Sequence, residues 1–421
     1  MRNIKVRLIL MSFLEFAIWG AYLTSMGAYL AGVGQAENIG WFYAVQGIVS
    51  LFMPALIGVI ADRYMPAQKV LGLCHLLAGL FMCAAGVYGM RAGASIEFAP
   101  LFSLYTLSVA FFMPTIAISN SVAYIALTKA GMDTVKAFPP IRVFGTIGFI
   151  CAMLFVDFAG YQNTFEQFFV SSALGICLAL YSLTLPACPV EKNVGKKGSM
   201  IDILGLRAFA LMKNKNMAIF FIFSMLLGVS LQITNGFANP FIASFKGVSE
   251  YADTFGANHA NALISLSQIS ETLCILLIPF FLKRFGIKKV MLIAMVAWVL
   301  RFGLFGIGNP GSGVWMFILS MIIYGVAFDF FNISGSLYVD KVTDPSVRSS
   351  AQGLFMIMTN GIGATVGTLS AQAVVNHFVY SHSEPMAQIA GWNTSWLIFA
   401  GYSLVVAVLF AMIFKEPQKA S

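Results

Sequence analysis

Apolar runs of about twenty residues recur twelve times along this chain, and that feature excludes most folds. A helix rises about 1.5 Å per residue, so a hydrocarbon core of about 30 Å is crossed by about 20 residues. The runs fall at 8–32, 39–60, 69–90, 97–124, 138–158, 165–186, 217–243, 260–282, 288–308, 313–336, 350–376 and 393–414. In lipid each backbone amide needs a partner within its own segment, so such runs read as helices. Composition agrees: 59% of residues are hydrophobic and only 10% charged, where a soluble domain carries about a quarter. The first run follows Arg2, Lys5 and Arg7 in the manner of a signal peptide. It extends to about Val33 without a cleavage site, with eleven runs after it, and so reads as the first span. The expected fold class is an all-α integral membrane protein of twelve transmembrane helices.

The connectors orient those helices. With both termini in the cytoplasm, 21 of the 25 Lys and Arg residues fall on the cytoplasmic side. Only Arg91 and Lys246 fall opposite, and Arg142 and Arg301 lie inside spans. That is the asymmetry of the positive-inside rule. The net charge of +8 does not point to nucleic acid, because the basic residues are scattered through short connectors and form no single face. Cys74, Cys83, Cys151, Cys177, Cys188 and Cys274 show no CxxC pairing and read as packing residues, without disulfide or metal. His75, His259, His377 and His382 have no ligand spacing, so neither a metal site nor an enzyme is expected.

Six spans precede and six follow the polar stretch from Cys188 to Asn216, which carries Glu191, Lys192, Lys196, Lys197 and Lys213. The chain therefore reads as a six-helix bundle over 1–187, a cytoplasmic linker over 188–216 and a second bundle over 217–421, the arrangement of transporters built from repeats. An internal echo supports it. Met53-Pro54 leads to Ala61-Asp62-Arg63-Tyr64, and Ile278-Pro279 leads to Leu282-Lys283-Arg284-Phe285, each at the turn between the second and third spans of its half. The run Gly58-Val59-Ile60-Ala61-Asp62-Arg63 resembles the loop signature of the major facilitator superfamily, in part, because Tyr64-Met65-Pro66 replaces the usual continuation.

Ionisable residues deep in a span cost about 2.5–3.5 kcal/mol each on insertion scales and mark solute or proton pathways. Five stand out: Glu15, Arg142, Glu271, Arg301 and Asp329. By helix rise Glu271, Arg301 and Asp329 all lie roughly 16–18 Å above the cytoplasmic lip, near the midplane. Arg301 and Asp329, on consecutive helices, could form a fixed ion pair or take part in transport. Gln268 shares a face with Glu271 at i−3, and Gln232 and Asn235 repeat that spacing nearer the outer end of the seventh span. Arg142, Thr146 and Phe149 share a face of the fifth span, although Arg142 is shallow enough to snorkel. Tyr324 and Phe328 are paired at i,i+4 beside Asp329, as packing or as ligand contacts. Glu15, about 12 Å in by helix rise, suits a gate as well as a coupling role. Amides, a carboxylate, a hydroxyl and aromatic faces suit a neutral polar ring compound. A dianionic solute would call for a cluster of arginines.

The stretches Phe138-Pro139-Pro140-Ile141-Arg142, Gly145-Thr146-Ile147-Gly148-Phe149, Leu231-Gln232-Ile233-Thr234-Asn235, Ser267-Gln268-Ile269-Ser270-Glu271 and 324–335, from Tyr324 to Gly335, resemble the bacterial nucleoside:proton symporter family. The resemblance runs through nearly the whole chain. It implies uptake of purine and pyrimidine nucleosides across the bacterial inner membrane by alternating access, driven by protons and needing no cofactor. It also implies substrate contacts from Arg142, Thr146, Phe149, Gln232, Asn235, Gln268, Glu271, Tyr324 and Phe328. Proton coupling would fall to Asp329, with Glu271 as its partner or substitute. The expected partners are the nucleoside, protons and lipid, with one chain as the working unit. A sugar or glycoside carrier and a non-transporting receptor are the alternatives, the latter without any visible signalling domain.

Overall fold

The computed structural model describes residues 2–93, 95–188, 206–343 and 348–415. Contacts divide the chain into two compact units, Met1–Leu204 and Gly205–Ser421. Of the expected linker, residues 189–205 lie outside the described residues, and with them Glu191, Lys192, Lys196 and Lys197.

The amino-terminal unit opens with α1 (Arg2–Gly20) and α2 (Met26–Gly32), joined by a hydrogen-bonded turn. Next come α3 (Ile39–Ser50) and α4 (Met53–Arg63), one span bent by 43°. Pro54 stands in the first turn of α4, where its missing N–H costs nothing. The unit is completed by α5 (Ala67–Ala92), α6 (Phe98–Lys129), α7 (Thr134–Phe158) and α8 (Glu166–Ser182). Two glycines set its closest crossing. A Cβ on Gly148 would strike the Phe13 carbonyl, and one on Gly20 would strike the backbone of Phe149. Small residues let membrane helices meet backbone to backbone, and here they press α7 onto α1.

The carboxy-terminal unit begins with a 3-10 helix over Leu206–Lys213 and then α9 (Lys215–Ser244). The Asn214 side chain caps α9 by accepting from the amides of Asn216 and Met217. α10 (Ala260–Ile307) is 48 residues long, too long for one crossing, and it breaks at Gly286, whose φ of 77° is left-handed. Glycine alone takes that conformation without strain, so the sequence itself divides α10 into limbs at 260–285 and 287–307. α11 (Val314–Val342) follows. α12 (Arg348–Met356), a π-helical segment (Ile357–Gly363) and α13 (Ala364–Val375) form one continuous run before α14 (Pro385–Ile413). The π segment lies hard against α9, because a Cβ on Gly228 would strike the Thr359 carbonyl.

Eight helices are long and apolar enough to cross a membrane alone, and the bent α3–α4 pair makes a ninth. Separating the limbs of α10 and adding α1 and the 17-residue α8 gives twelve crossings among the described residues. Both copies of the basic echo fall where expected, at the end of α4 and at the Gly286 break. Large apolar side chains such as Leu276 (74% exposed) and Met412 (72%) point outward, as lipid-facing residues do. The cysteines depart in part from a packing role: all six are free, Cys74, Cys188 and Cys274 are buried, and Cys151 and Cys177 are exposed on helix surfaces.

Candidate substrate and proton sites

In the amino-terminal unit the shared face of α7 turns toward α1. The Arg142 guanidinium lies 3.8 Å from the centre of the Phe16 ring, half-buried, so it is held over an aromatic face inside the bundle. Phe149 is buried and meets the Trp19 ring edge-on at 6.4 Å, while Thr146 is half-buried one turn below. Trp19 donates to the Gln46 side chain at 3.3 Å, and Gln46 donates to the Tyr105 hydroxyl at 2.9 Å. A polar seam therefore runs from α1 through α3 to α6.

Glu15 has a place that its spacing did not reveal. Its carboxylate is fully buried, with Oε2 2.8 Å from Nε2 of His75 and Oε1 accepting from the Thr115 hydroxyl at 2.6 Å. His75 and Thr115 were missed because they lie on other helices, 60 and 100 residues away. One signal was available: of the four histidines, His75 alone falls within an expected span.

In the carboxy-terminal unit the charges within the spans assemble around Tyr324. Its ring stacks on Phe328 at 5.7 Å with 2° between the planes, so the i,i+4 pair forms one flat aromatic surface. Arg301 lies 4.6 Å from the centre of the Tyr324 ring and is 1% exposed. No ion pair with Asp329 forms. Instead Arg301 donates to the Ser320 carbonyl at 2.7 Å, and the Ser320 hydroxyl donates back to the Arg301 carbonyl at 2.9 Å. Asp329 is 5% exposed, and its Oδ2 has no hydrogen-bond partner. Glu271, half-buried, acts electrostatically on both Asp329 and Tyr324. Two acids in mutual reach in a low-dielectric setting repel, and a proton on either relieves the other.

A close crossing brings these groups together. A Cβ on Gly325 would strike the Ser270 carbonyl, so α11 lies directly on the limb that carries Gln268 and Glu271. The Ser270 hydroxyl, hydrogen-bonded to the Ile322 carbonyl, ties the same two helices. Gln268 is half-buried on this limb. On α9 Asn235 donates to Gln232 at 2.6 Å, a joined amide pair. Helix rise puts that pair toward the outer end of its span. The span runs 33 residues from Lys215 to Gly247, beyond the hydrocarbon at its ends, and Gln232 stands at its middle. A small cavity beside Phe328 is lined by Leu231, Trp298, Asn332 and Thr359.

Twelve crossings in two units, with buried acids, amides and an aromatic platform inside the helix bundles, define a multi-pass membrane carrier of the major facilitator fold. The chain matches the model of the nucleoside H+ symporter family over residues 2–419, and it belongs to that family. It is 47% identical to the nucleoside permease NupG of Escherichia coli (strain K12), over 98% of this chain and 96% of that one. It is 46% identical to the xanthosine permease of the same organism, over 99% and 98% of the two chains. A crystal structure of the nucleoside transporter NupG superposes with a TM-score of 0.89, at 45% identity, covering 99% of this chain and all of the other.

Proposed function

We propose that this chain imports nucleosides across a bacterial inner membrane together with protons, as a single working unit with both termini in the cytoplasm. The observation that carries the reading is Asp329: a buried carboxyl with an unpartnered oxygen, within charge reach of Glu271 and next in sequence to the Phe328 ring. A base or a ribose stacks well on a flat aromatic pair, and ribose hydroxyls suit a carboxylate or an amide. The proposed substrate contacts are Arg142, Thr146 and Phe149 from the amino-terminal unit. From the carboxy-terminal unit they are Gln232, Asn235, Gln268, Glu271, Tyr324 and Phe328. Asp329 is the proposed proton carrier, with Glu271 as the group that senses its charge. Neither substrate nor proton chemistry here calls for a cofactor.

The test is uptake of radiolabelled uridine into energised vesicles, challenged with nucleosides, free bases, sugars and a protonophore. Competition by nucleosides alone and collapse with the protonophore are expected. Competition by sugars, or accumulation indifferent to the protonophore, would overturn the reading.

A further inference from the structure

We propose that Glu15 and His75 form a second proton-binding site, in the amino-terminal unit, so that this chain moves two protons with each nucleoside. The inference rests on the symport reading above but on none of its residues. Both side chains are fully buried, and their Nε2···Oε2 contact of 2.8 Å is a hydrogen bond. The second imidazole nitrogen, Nδ1, has no hydrogen-bond partner. An ion pair built only to hold helices together would satisfy both nitrogens, since leaving a buried polar atom bare is costly. Instead His75 lines a cavity beside Tyr22, Ser108 and Ser171 with room for a single water.

The proton count follows from the geometry. With Nε2–H donating to an ionised Glu15 and Nδ1 bare, the pair carries one negative charge inside the membrane. A proton arriving at Nδ1 makes an imidazolium and brings the pair to neutrality. Its departure from the same atom restores the starting state, so one proton is carried with no other bond made or broken. Thr115 suits both states, because its hydroxyl lies 2.6 Å from Glu15 Oε1 and 2.6 Å from the Phe112 carbonyl. It donates to the carboxylate, which stays ionised whether or not Nδ1 holds the proton.

The other groups near the pair do not compete at neutral pH. Cys74 on α5 feels the Glu15 charge, Tyr22 lines the cavity from α1, and Tyr105 on α6 packs against Tyr22; thiols and phenols ordinarily keep their protons there. From α7 the cation is Arg142, held on the ring of Phe16, the residue after Glu15. α8 brings only Ser171 and Gly175 to the cavity.

The experiment measures charge stoichiometry in proteoliposomes under a clamped potassium potential, finding the uridine gradient that just balances it. One charge per 100 mV supports about fifty-fold accumulation and two support roughly 2,000-fold. The wild type is expected to follow two charges, and Glu15→Gln and His75→Gln to follow one, so that each variant's ratio is near the square root of the wild type's. A wild type that follows one charge overturns the second site and leaves symport standing, whether or not either variant folds. Equal slopes in wild type and both variants also overturn it. No response to the potential in any of the three would overturn the symport reading itself.

Discussion

Arg301 shows how a cation survives at 1% exposure without a carboxylate: its charge lies over the Tyr324 and Phe305 rings, and it exchanges hydrogen bonds with Ser320. Helix rise puts Arg301, Asp329 and Glu271 in one layer, and the structure gathers them around Tyr324, with Arg301 over its ring and both acids in electrostatic reach. Their pairing was not legible, since it depends on how each helix is rotated about its axis. The distinction has a consequence for Asp329. Were it the counter-ion of Arg301, removing it would strand a buried charge and cost about 3–5 kcal/mol. With no such pair, Asp329→Asn should keep nearly the thermal stability of the wild type and still bind uridine, yet lose concentrative uptake in proteoliposomes. Arg301→Ala should behave in the opposite way. It leaves the Ser320 carbonyl without its donor, at about 1–3 kcal/mol, and lowers the unfolding temperature in detergent. Gln268→Ala and Glu271→Ala should each weaken uridine binding by about 1–3 kcal/mol in calorimetry, the cost of leaving a substrate hydroxyl unpaired. Wild-type affinity in both would remove them from the site.

At the level of whole helices, each of the twelve apolar runs coincides with a helix or helix pair among the described residues, because hydrocarbon thickness sets run length. What run length does not carry is where a helix bends or how closely two approach. The break in α10 falls at Gly286, and the π segment at Ile357–Gly363 packs hard against Gly228, both invisible to hydropathy. The crossing at Gly325 gives a test at this scale. Gly325→Val puts a branched side chain into the Ser270 carbonyl and must force α11 off the limb carrying Gln268 and Glu271. Overpacking of this kind costs about 1–3 kcal/mol. We expect a lower unfolding temperature together with at least a tenfold loss of uridine affinity, because Tyr324 and Phe328 move with α11. Gly303→Ala, on the following limb of α10, is the control, since its Cβ would meet nothing within 4 Å and stability should hold.

Across the whole molecule, orientation is expected to follow from the distribution of Lys and Arg between connectors. Lys246 and Lys341 are both exposed at helix ends, yet the distribution of Lys and Arg assigns them to opposite faces of the membrane. The physical cause is that basic connectors resist translocation, so the sequence alone carries this information and the helix contacts do not. The prediction is therefore made for the chain in its membrane. In a background with the exposed Cys151 and Cys177 replaced by serine, Lys246→Cys and Lys341→Cys are each introduced and treated with a membrane-impermeant maleimide in right-side-out spheroplasts. Cys74, Cys188 and Cys274 are buried and should stay silent, and Cys83, half-buried in α5, sets the background. Lys246→Cys should label in intact spheroplasts and Lys341→Cys only after lysis, because three crossings, the two limbs of α10 and then α11, separate the two positions and an odd number must change sides. Labelling of Lys341→Cys in intact cells would reverse the orientation. Labelling of both would mean an even number of crossings between them, and the Gly286 break would then join two limbs that do not both span.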